Sequence, residues 1–449
     1  MKRDAGMVNA FVEGAASLDD ATAAMIARRQ KLLGPAYRLF YQRPVHFVRG
    51  EGAWLYDTAG DAYLDAYNNV TSIGHCHPKV VDAVSHQMAT LSTHTRYLHD
   101  AVLRYADRLL STMPAEIGHL MFTCTGSEAN DLAVRIAEAH TGRQGIIVTE
   151  TAYHGVTQAV ARFSPSLGEN VPLGIQVRTV PAPDAYRSPT GDVGAEFTRA
   201  VQAAIRDLQR HGIEPALFIC DGIFASDGVF DGPPGFLKGA VEAIRAAGGL
   251  YIADEVQSGF GRTGDRMWGF QRHGVVPDLV TMGKPMGNGY PVAGVAGRPD
   301  VLAKFGQESR YFNTFGGNAV AAAAATAVLD VIENDGLVEN SRVMGDYLKT
   351  GFRHLADKHP AIGDIRGAGM FLGVEIVSDR GAKTPDAAKT TAIVNALRDE
   401  RVLISACAKS ANVLKIRPQI RSTRAELDVL IDKLDLVLGR SNEAANPSH

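Results

Sequence analysis

Two short apolar runs, each leading to a functional side chain, constrain this chain most strongly. Residues 250–253 predict a buried strand with Asp254 at its carboxyl end, and Leu279–Met282 predict a second strand that is followed by Lys284. In α/β sheets, ligands bind outside the carboxyl ends of the strands. The sequence therefore predicts that an acid and an amine face one ligand there.

The residues around this pair distinguish it from an ordinary surface charge and its salt-bridge partner. Glycines at 283, 287 and 289 allow the backbone to approach a ligand closely, and Pro285 restricts the chain after the lysine. An acid that pairs with a pyridinium nitrogen and a lysine that forms a Schiff base are the protein groups of pyridoxal phosphate chemistry. We therefore expect pyridoxal 5′-phosphate as the cofactor, with Asp254 and Lys284 as catalytic residues.

Length and composition are those of an ordinary globular protein. The chain has 449 residues, of which 45% are hydrophobic and 21% charged, and its net charge is −3. This charge argues against a general nucleic-acid-binding protein, which would carry a basic face. No apolar leader follows Met1, and no apolar run approaches the ~20 residues that span a bilayer. We therefore expect a cytoplasmic protein with no membrane partner.

The cysteines and histidines do not predict a metal site. The four cysteines are widely spaced and form neither a CxxC pair nor a disulfide framework. The triplet from His75 to His77 contains metal-ligating types, but adjacent residues cannot all point at one ion in regular structure. No second ligand pair follows at zinc spacing. We expect no metal.

Strands and helices alternate through the middle of the chain. Strand patterns at 120–123, 145–149 and 216–220 precede the strand at 250, and helical patterns end near residue 141 and cover 234–247. This alternation predicts an α/β fold with a mostly parallel sheet and helices on both faces.

The two ends of the chain are organised differently from its middle. A helix is expected from about residue 20 to Gly34, and residues 48–65 read as a hairpin. After about residue 336 a second mixture of helices and short strands begins. We therefore divide the chain into an N-terminal segment (1–66), a large cofactor-binding domain (67–335) and a C-terminal small domain (336–449), which the N-terminal segment joins.

Other candidate site residues follow predicted strands. Gly126 and Ser127 lie between a strand and a helix, where backbone amides, a hydroxyl and the helix N-terminus make a phosphate site. Tyr153 offers an aromatic ring for stacking on a planar ligand, and Thr314 offers a second hydroxyl. Arg417 ends an apolar strand and is either a buried ion-pair member or a receptor for a carboxylate or phosphate.

Five motifs in combination resemble the class III aminotransferase group of fold-type I pyridoxal phosphate enzymes, over nearly the whole chain from Val48 onward. They lie at residues 125–130, 153–155, 253–264, 282–285 and 313–317. The resemblance implies that Lys284 forms the Schiff base and moves the proton, and that Asp254 pairs with the pyridine nitrogen. It implies a homodimer with shared active sites. The cofactor-binding residues that it implies are Gly126, Ser127 and Thr314 (from the neighbouring subunit) for the phosphate, Tyr153 and Val256 for the ring faces, Gln257 near the phenolic oxygen, and His154 beside them.

One stretch departs from the pattern of the group. Many members carry Glu-Pro-Val/Ile-Gln-Gly where this chain has Asp-Gly-Ile-Phe-Ala at 221–225, and the region after that strand often supplies an acid that neutralises a switching arginine. Residues 68–81, 95–99 and 412–418 look closest to the phospho-lyase branch, which acts on phosphoethanolamine or phosphohydroxylysine.

Three functions follow from these patterns. The first is a phospho-lyase for an amino-phosphate such as O-phosphoethanolamine, with Arg417 as the first candidate for binding the substrate phosphate and Arg96 or Lys415 as weaker ones. The second is an aminotransferase of the ω-amino-acid or alanine–glyoxylate type, in which Arg417 would bind a carboxylate. The third is a non-catalytic cofactor-binding protein, which the complete set of lysine, acid and phosphate site disfavours.

Overall fold

The computed structural model describes residues 7–443, so residues 1–6 and 444–449 of the predicted terminal segments lie outside the described part. The helices are α1 (Asp20–Leu33), α2 (Pro78–Thr90), α3 (Asp100–Ser111), α4 (Gly126–Thr141), α5 (Gln158–Ala161), α6 (Val193–Arg210), α7 (Lys238–Ala246), α8 (Gly269–Arg272), α9 (Pro299–Glu308), α10 (Ala319–Asn334), α11 (Leu337–Lys358), α12 (Ala387–Asp399) and α13 (Arg424–Glu443). The strands are β1 (Phe47–Glu51), β2 (Trp54–Asp57), β3 (Ala62–Asp65), β4 (His119–Thr123), β5 (Gly145–Thr149), β6 (Val177–Val180), β7 (Pro215–Cys220), β8 (Leu250–Asp254), β9 (Leu279–Met282), β10 (Ala293–Gly297), β11 (Ile362–Ala368), β12 (Phe371–Asp379), β13 (Thr384–Pro385), β14 (Val402–Leu403), β15 (Ser405–Cys407) and β16 (Val413–Ile416).

A seven-stranded sheet forms the centre of the molecule, in the order β4-β10-β9-β8-β7-β5-β6. The strands run parallel except β10, which is antiparallel to both of its neighbours. Strands β7, β8 and β9 are buried throughout their length, as expected for a sheet that is covered on both faces. Helices α4 and α9 pack together on one face, and α6 and α7 pack on the other. The predicted α/β architecture is confirmed.

The N- and C-terminal parts of the chain share a second sheet. In the order β1-β2-β3-β14, strand β14 lies parallel to β3 and pairs Val402 with Leu64. A third sheet, β11-β12-β16-β15, is antiparallel, and β13 is attached to β12. This pairing agrees with joining the N-terminal segment to the small domain, while the boundaries at residues 66 and 335 stay a prediction.

Several local expectations differ from the structure. The predicted hairpin at 48–65 has three strands, because Gly52 turns the first run back on itself with a φ of 55°. The helix expected at 234–247 begins only at Lys238, since Gly235 has a φ of 90° that does not continue a helix. The sequence patterns gave no assignment for β6, β10, α3 or α6.

In the triplet around Cys76, the side chain of His75 is hydrogen-bonded to an acid. The imidazole Nε2 of His75 lies 2.8 Å from Oδ2 of Asp65, and both side chains are nearly buried. Across residues 7–443, no group of three His, Cys, Asp or Glu side chains is placed to hold a metal ion. Within the same range, the helices are too short or too polar to cross a bilayer.

Candidate active site

A pocket of about 200 Å³ opens at the carboxyl ends of β5, β7, β8 and β9 and at the N-terminus of α4. Parallel strands present their carboxyl ends at one edge of the sheet, which explains why residues distant in sequence meet there. The pocket contains eight of the residues predicted for the cofactor and catalysis. Its walls are formed by Thr125, Gly126, Ser127, Asn130, Tyr153, His154, Gly155, Asp221, Asp254, Val256, Gln257 and Lys284.

Asp254, at the end of β8, is held by three hydrogen bonds. Its Oδ2 lies 2.7 Å from Nδ1 of His154 and accepts from Nδ2 of Asn130 at 2.9 Å. Its Oδ1 accepts from the backbone N–H of Val256 at 3.1 Å. The side chain is only 6% exposed. These donors stabilise the negative charge of the carboxylate and fix its orientation toward the pocket.

Lys284 reaches the same pocket from the strand next to β8, since β9 pairs directly with β8. It begins the short 3₁₀ turn Lys284–Gly287 directly after β9. Burial lowers the pKa of its ammonium group and the neighbouring Arg417 guanidinium lowers it further, while Asp254 and Asp221 oppose that shift. A lowered pKa increases the fraction of neutral amine, which is the form that attacks a carbonyl or accepts a proton.

The N-terminus of α4 provides an anion-binding cradle. The Thr125 hydroxyl accepts from the backbone N–H of Glu128 at 3.2 Å, and the Glu128 carboxylate accepts from the Thr125 N–H at 2.9 Å. This capping box leaves the first-turn N–H groups of Gly126 and Ser127 for another acceptor. Helix N-termini bind phosphate through such groups.

The cradle has room only for glycine at its rim. A Cβ on Gly155, whose φ is 140°, would lie 2.5 Å from Oγ of Ser127 and 2.8 Å from its Cα. A Cβ on Gly126 would lie 3.0 Å from the Val256 side chain. The absence of side chains at these two positions therefore lets the loop after β5 and the segment after β8 pack directly against the helix N-terminus, which fixes the walls of the cradle.

Arg417 lies just beyond this pocket and contacts one of its walls. Its Nη1 donates to Oε1 of Gln257 at 2.6 Å, and its guanidinium lies 4.5 Å from the ring centroid of Tyr67 and 5.3 Å from that of Phe371. It is 4% exposed. Among the described residues, its guanidinium makes no ion pair with a carboxylate. The arginine predicted as an anion receptor is therefore beside the pocket, buried and without a counter-ion.

Lys415 adds a second cation next to Arg417. Side chains two residues apart on an extended strand point to the same face; Lys415 lies in β16 and Arg417 directly follows it. Burial lowers the pKa of Lys415 to about 7, with Arg417 as the next cause. The ammonium also lies 5.7 Å from the ring centroid of Phe371.

Two predicted residues are not brought to the pocket of their own chain. Arg96 is exposed and stacks on Phe312, with its guanidinium carbon 3.8 Å from the ring centroid. Thr314 is exposed in the loop where the Asn313 side chain accepts from the backbone N–H of Gly316 at 2.9 Å. The assignment of Thr314 to a neighbouring subunit and of Arg96 to the substrate both stay predictions.

Asn130 and Asp221 line the pocket, although neither was predicted as a site residue. Asn130 stands at the end of the motif at 125–130, and Asp221 begins the stretch that departs from the family pattern. It follows β7 directly, and burial raises its pKa to about 6, with the charges of Asp254 and Asp227 contributing. Its position directly after a strand is the feature of the sequence that could have identified it as a site residue.

Comparisons with known proteins agree with this arrangement. The family model described as Aminotransferase class-III matches residues 40–438. The chain is 40% identical over 418 residues to "Alanine--glyoxylate aminotransferase 2-like" of Drosophila melanogaster, covering 90% of this chain and 84% of that protein. It is 36% identical over 438 residues to "Ethanolamine-phosphate phospho-lyase homolog 1" of Caenorhabditis elegans, covering 93% and 94%.

A solved structure shows the same fold at similar identity. A phospholyase from Arthrobacter in complex with phosphoethanolamine matches with a TM-score of 0.89 and 41% identity, over 92% of this chain and 99% of that one. The pocket fits the cofactor of such enzymes, because its open amide cradle suits a phosphate while a carboxylate and an amine flank the remaining space. The chain therefore belongs to the class III aminotransferase family, has the α/β fold of fold-type I enzymes, and is a pyridoxal-phosphate-dependent enzyme.

Proposed function

We propose that this enzyme is a phospho-lyase that eliminates phosphate from an amino-phosphate such as O-phosphoethanolamine, giving acetaldehyde, ammonia and phosphate. The observation that carries the proposal is Arg417, which is buried beside the pocket with only the neutral Gln257 side chain as its polar partner among the described side chains. An arginine without a carboxylate counter-ion keeps its charge available for a substrate anion. Lys415 next to it suits a doubly charged phosphate better than a single carboxylate.

The relatives support the same substrate class. The Caenorhabditis elegans relative bears the name of an ethanolamine-phosphate phospho-lyase, and the Arthrobacter phospholyase was solved with phosphoethanolamine. The departure at 221–225 also agrees, since an enzyme that does not alternate between two substrates needs no acid to neutralise its arginine.

We assign the cofactor contacts as the pocket geometry suggests. The N–H groups of Gly126 and Ser127 would hold the cofactor phosphate, together with Thr314 from a second copy of the chain. Tyr153 and Val256 would contact the two ring faces. Gln257, which is bonded to Arg417, would lie near the phenolic oxygen, and His154 would hold Asp254 for pairing with the ring nitrogen.

With these assignments, protein groups are available both for removing the substrate proton and for stabilising the charge of the leaving phosphate. Bound pyridoxal phosphate supplies an electron sink for the negative charge that develops on the substrate carbon bearing the amine. Lys284 removes the proton from that carbon, and its lowered pKa favours the neutral amine that this step needs. Arg417 and Lys415 stabilise the phosphate as its C–O bond breaks. With one water consumed, the two-carbon unit leaves as acetaldehyde and ammonia.

An aminotransferase of the alanine–glyoxylate or ω-amino-acid type is the second candidate. The 40% identity to the Drosophila melanogaster protein of that name favours it, and the planar fork of Arg417 also fits a carboxylate. In that reaction Lys284 would deliver the proton to a carbon of the cofactor, and no group would be eliminated from the substrate. A keto acid would then be needed to complete each cycle.

We further propose a homodimer that shares its active sites and resides in the cytoplasm. Thr314 and Arg96 lie on an exposed surface, near large apolar side chains such as Leu98 and Phe315, which are 97% and 70% exposed. A second copy that covers this surface would shield apolar area and bring Thr314 to its partner's pocket.

The decisive experiment measures phosphate release from O-phosphoethanolamine by the cofactor-loaded protein with no keto acid present. We expect repeated turnover, with acetaldehyde formed in equal amount to phosphate. No phosphate release, together with pyridoxamine phosphate formation from an amino acid and turnover only when a keto acid is added, would assign the enzyme as an aminotransferase instead.

A further inference from the structure

Asn130 connects four elements of the pocket through one side chain. It lies in the first turns of α4 and is 1% exposed. Its Nδ2 donates to the carbonyl oxygen of His154 at 2.7 Å and to Oδ2 of Asp254 at 2.9 Å. Its Oδ1 accepts from the hydroxyl of Thr281, on β9, at 2.7 Å. All the hydrogen-bonding groups of this amide are thus engaged within the site.

The orientation of the amide is fixed by its partners. The His154 carbonyl can only accept, and the Asp254 carboxylate accepts as well, so the nitrogen of Asn130 must face both. Turning the amide over would place its oxygen against two other oxygens. The amide therefore directs two N–H donors at the side of the pocket that carries the acid.

We propose that Asn130 is a positioning residue that keeps Asp254 directed at the cofactor ring and holds the phosphate cradle, the ring-stacking loop and the lysine-bearing strand in register. The elements that it joins each carry one cofactor contact: α4 begins at the cradle, the loop after β5 carries Tyr153, and β9 leads to Lys284. This role applies to the bound cofactor itself, so it holds whether the enzyme proves to be a lyase or a transferase.

The test compares Asn130→Asp with Asn130→Ala. Asn130→Asp keeps the volume but replaces the donors with an oxygen that faces Asp254 and the His154 carbonyl. We expect it to raise the dissociation constant of the cofactor from the holoenzyme at least about tenfold, and more than Asn130→Ala does. A second carboxyl group in contact with Asp254 changes how charge and protons are shared beside the ring nitrogen, so it should also move the pH midpoint of the bound cofactor's absorbance change by roughly half a unit or more.

The outcomes separate positioning from packing. If Asn130 only filled space, the nearly isosteric Asn130→Asp would bind the cofactor as the wild type does, the absorbance midpoint would not move, and Asn130→Ala would be the weaker binder. That result would overturn the proposal. Asn395→Ala is a matched control, because this asparagine also bonds at both ends, to the Gln42 N–H at 2.8 Å and the Thr391 carbonyl at 2.9 Å, outside the pocket.

A second variant covers the case in which Asn130→Asp does not fold. Thr281→Val removes the hydroxyl that bonds Oδ1 of Asn130 while leaving a side chain of similar shape. We expect the cofactor dissociation constant of this variant to rise roughly two- to tenfold. An unchanged constant would contradict the connection between β9 and Asp254 through Asn130.

Discussion

The two sides of the active-site pocket are built in opposite ways. On the cofactor side, Asp254 is bonded to His154, Asn130 and a backbone N–H, and these groups come from the central sheet and the elements that follow its strands. On the substrate side, Arg417 and Lys415 come from the third sheet and have no carboxylate partners among the described residues. One side is a closed hydrogen-bonded network, and the other holds free positive charge.

This difference indicates which side tolerates change. A closed network of buried polar groups is costly to break, because each loss leaves a buried partner unsatisfied. A cationic corner that awaits an anion is satisfied only when substrate binds. Substitutions on the substrate side should therefore alter turnover with little effect on the cofactor, and substitutions on the cofactor side should loosen the cofactor first.

Arg417→Ala should have the largest effect on turnover. Removing the guanidinium leaves the substrate anion without its main charge partner, which typically costs about 2–5 kcal/mol. We expect kcat/KM for O-phosphoethanolamine to fall about 30-fold or more, while the cofactor stays bound. Phosphate release and spectra of the purified variant check both parts.

Arg424→Ala provides the control for that comparison. Arg424 also stacks on a tyrosine, with its guanidinium carbon 4.8 Å from the Tyr347 ring centroid, but it is exposed at the start of α13. We expect wild-type turnover from it. Equal turnover of Arg417→Ala and the wild type would remove Arg417 from the substrate site.

Gly155→Ala should have a smaller effect, and on the other side of the pocket. The added methyl group would lie 2.8 Å from the Cα of Ser127, so the cradle at the N-terminus of α4 has to move. Losing charge-assisted hydrogen bonds to the cofactor phosphate should raise the cofactor dissociation constant about 10- to 100-fold. Titration of the cofactor absorbance during dialysis measures this constant.

Gly142→Ala is a control that separates the effect of a steric clash at Gly155 from the effect of backbone strain. Gly142 has a φ of 67° but has no atom within 4 Å of an added Cβ. It should lose about 1–2 kcal/mol of stability from the strained backbone and keep its cofactor affinity. If both variants bound the cofactor equally well, the rim of the cradle would not control phosphate binding.

The same contrast explains what the sequence could predict. Asp254, Lys284, Gly126 and Ser127 each stand directly at the end of a recognisable strand or at the start of a helix, so their convergence followed from the geometry of a parallel sheet. The pairing of Arg417 with Gln257 joins residues 160 positions apart that follow strands of different sheets. No local pattern encodes such a contact.

Asn130 and the missed strands show the same limit. In the motif at 125–130 the asparagine reads as one more polar residue of a helix, and only the fold places it against Asp254. Strand β10 has the sequence Ala-Gly-Val-Ala-Gly, whose small residues give a weak strand signal although all five are buried. Tertiary packing against β4 and β9 forms that strand.

Lys415→Met should have the smallest effect of these substitutions, and it tests whether the second cation of the substrate side contributes to turnover. Because the pKa of Lys415 lies at about 7, its cationic form prevails below that pH and is lost as the pH rises. The kcat/KM of the wild type for O-phosphoethanolamine should therefore fall as the pH increases through about 7, above the range near 6 where the substrate phosphate itself titrates. Lys415→Met should lower kcat/KM about tenfold or less on the acid side of this range.

The shape of the pH profile tests Lys415 more sharply than the size of the loss. With methionine at this position, kcat/KM should no longer fall near pH 7, whereas the profile of Arg424→Ala should match that of the wild type. If kcat/KM still fell near pH 7 in Lys415→Met, the titrating group would be another residue. Asp221 would be the next residue to replace, because its pKa is about 6 and it loses its proton as the pH rises. Arg417 would then bind the substrate anion without help from Lys415, and the positive charge on the substrate side of the pocket would come from Arg417.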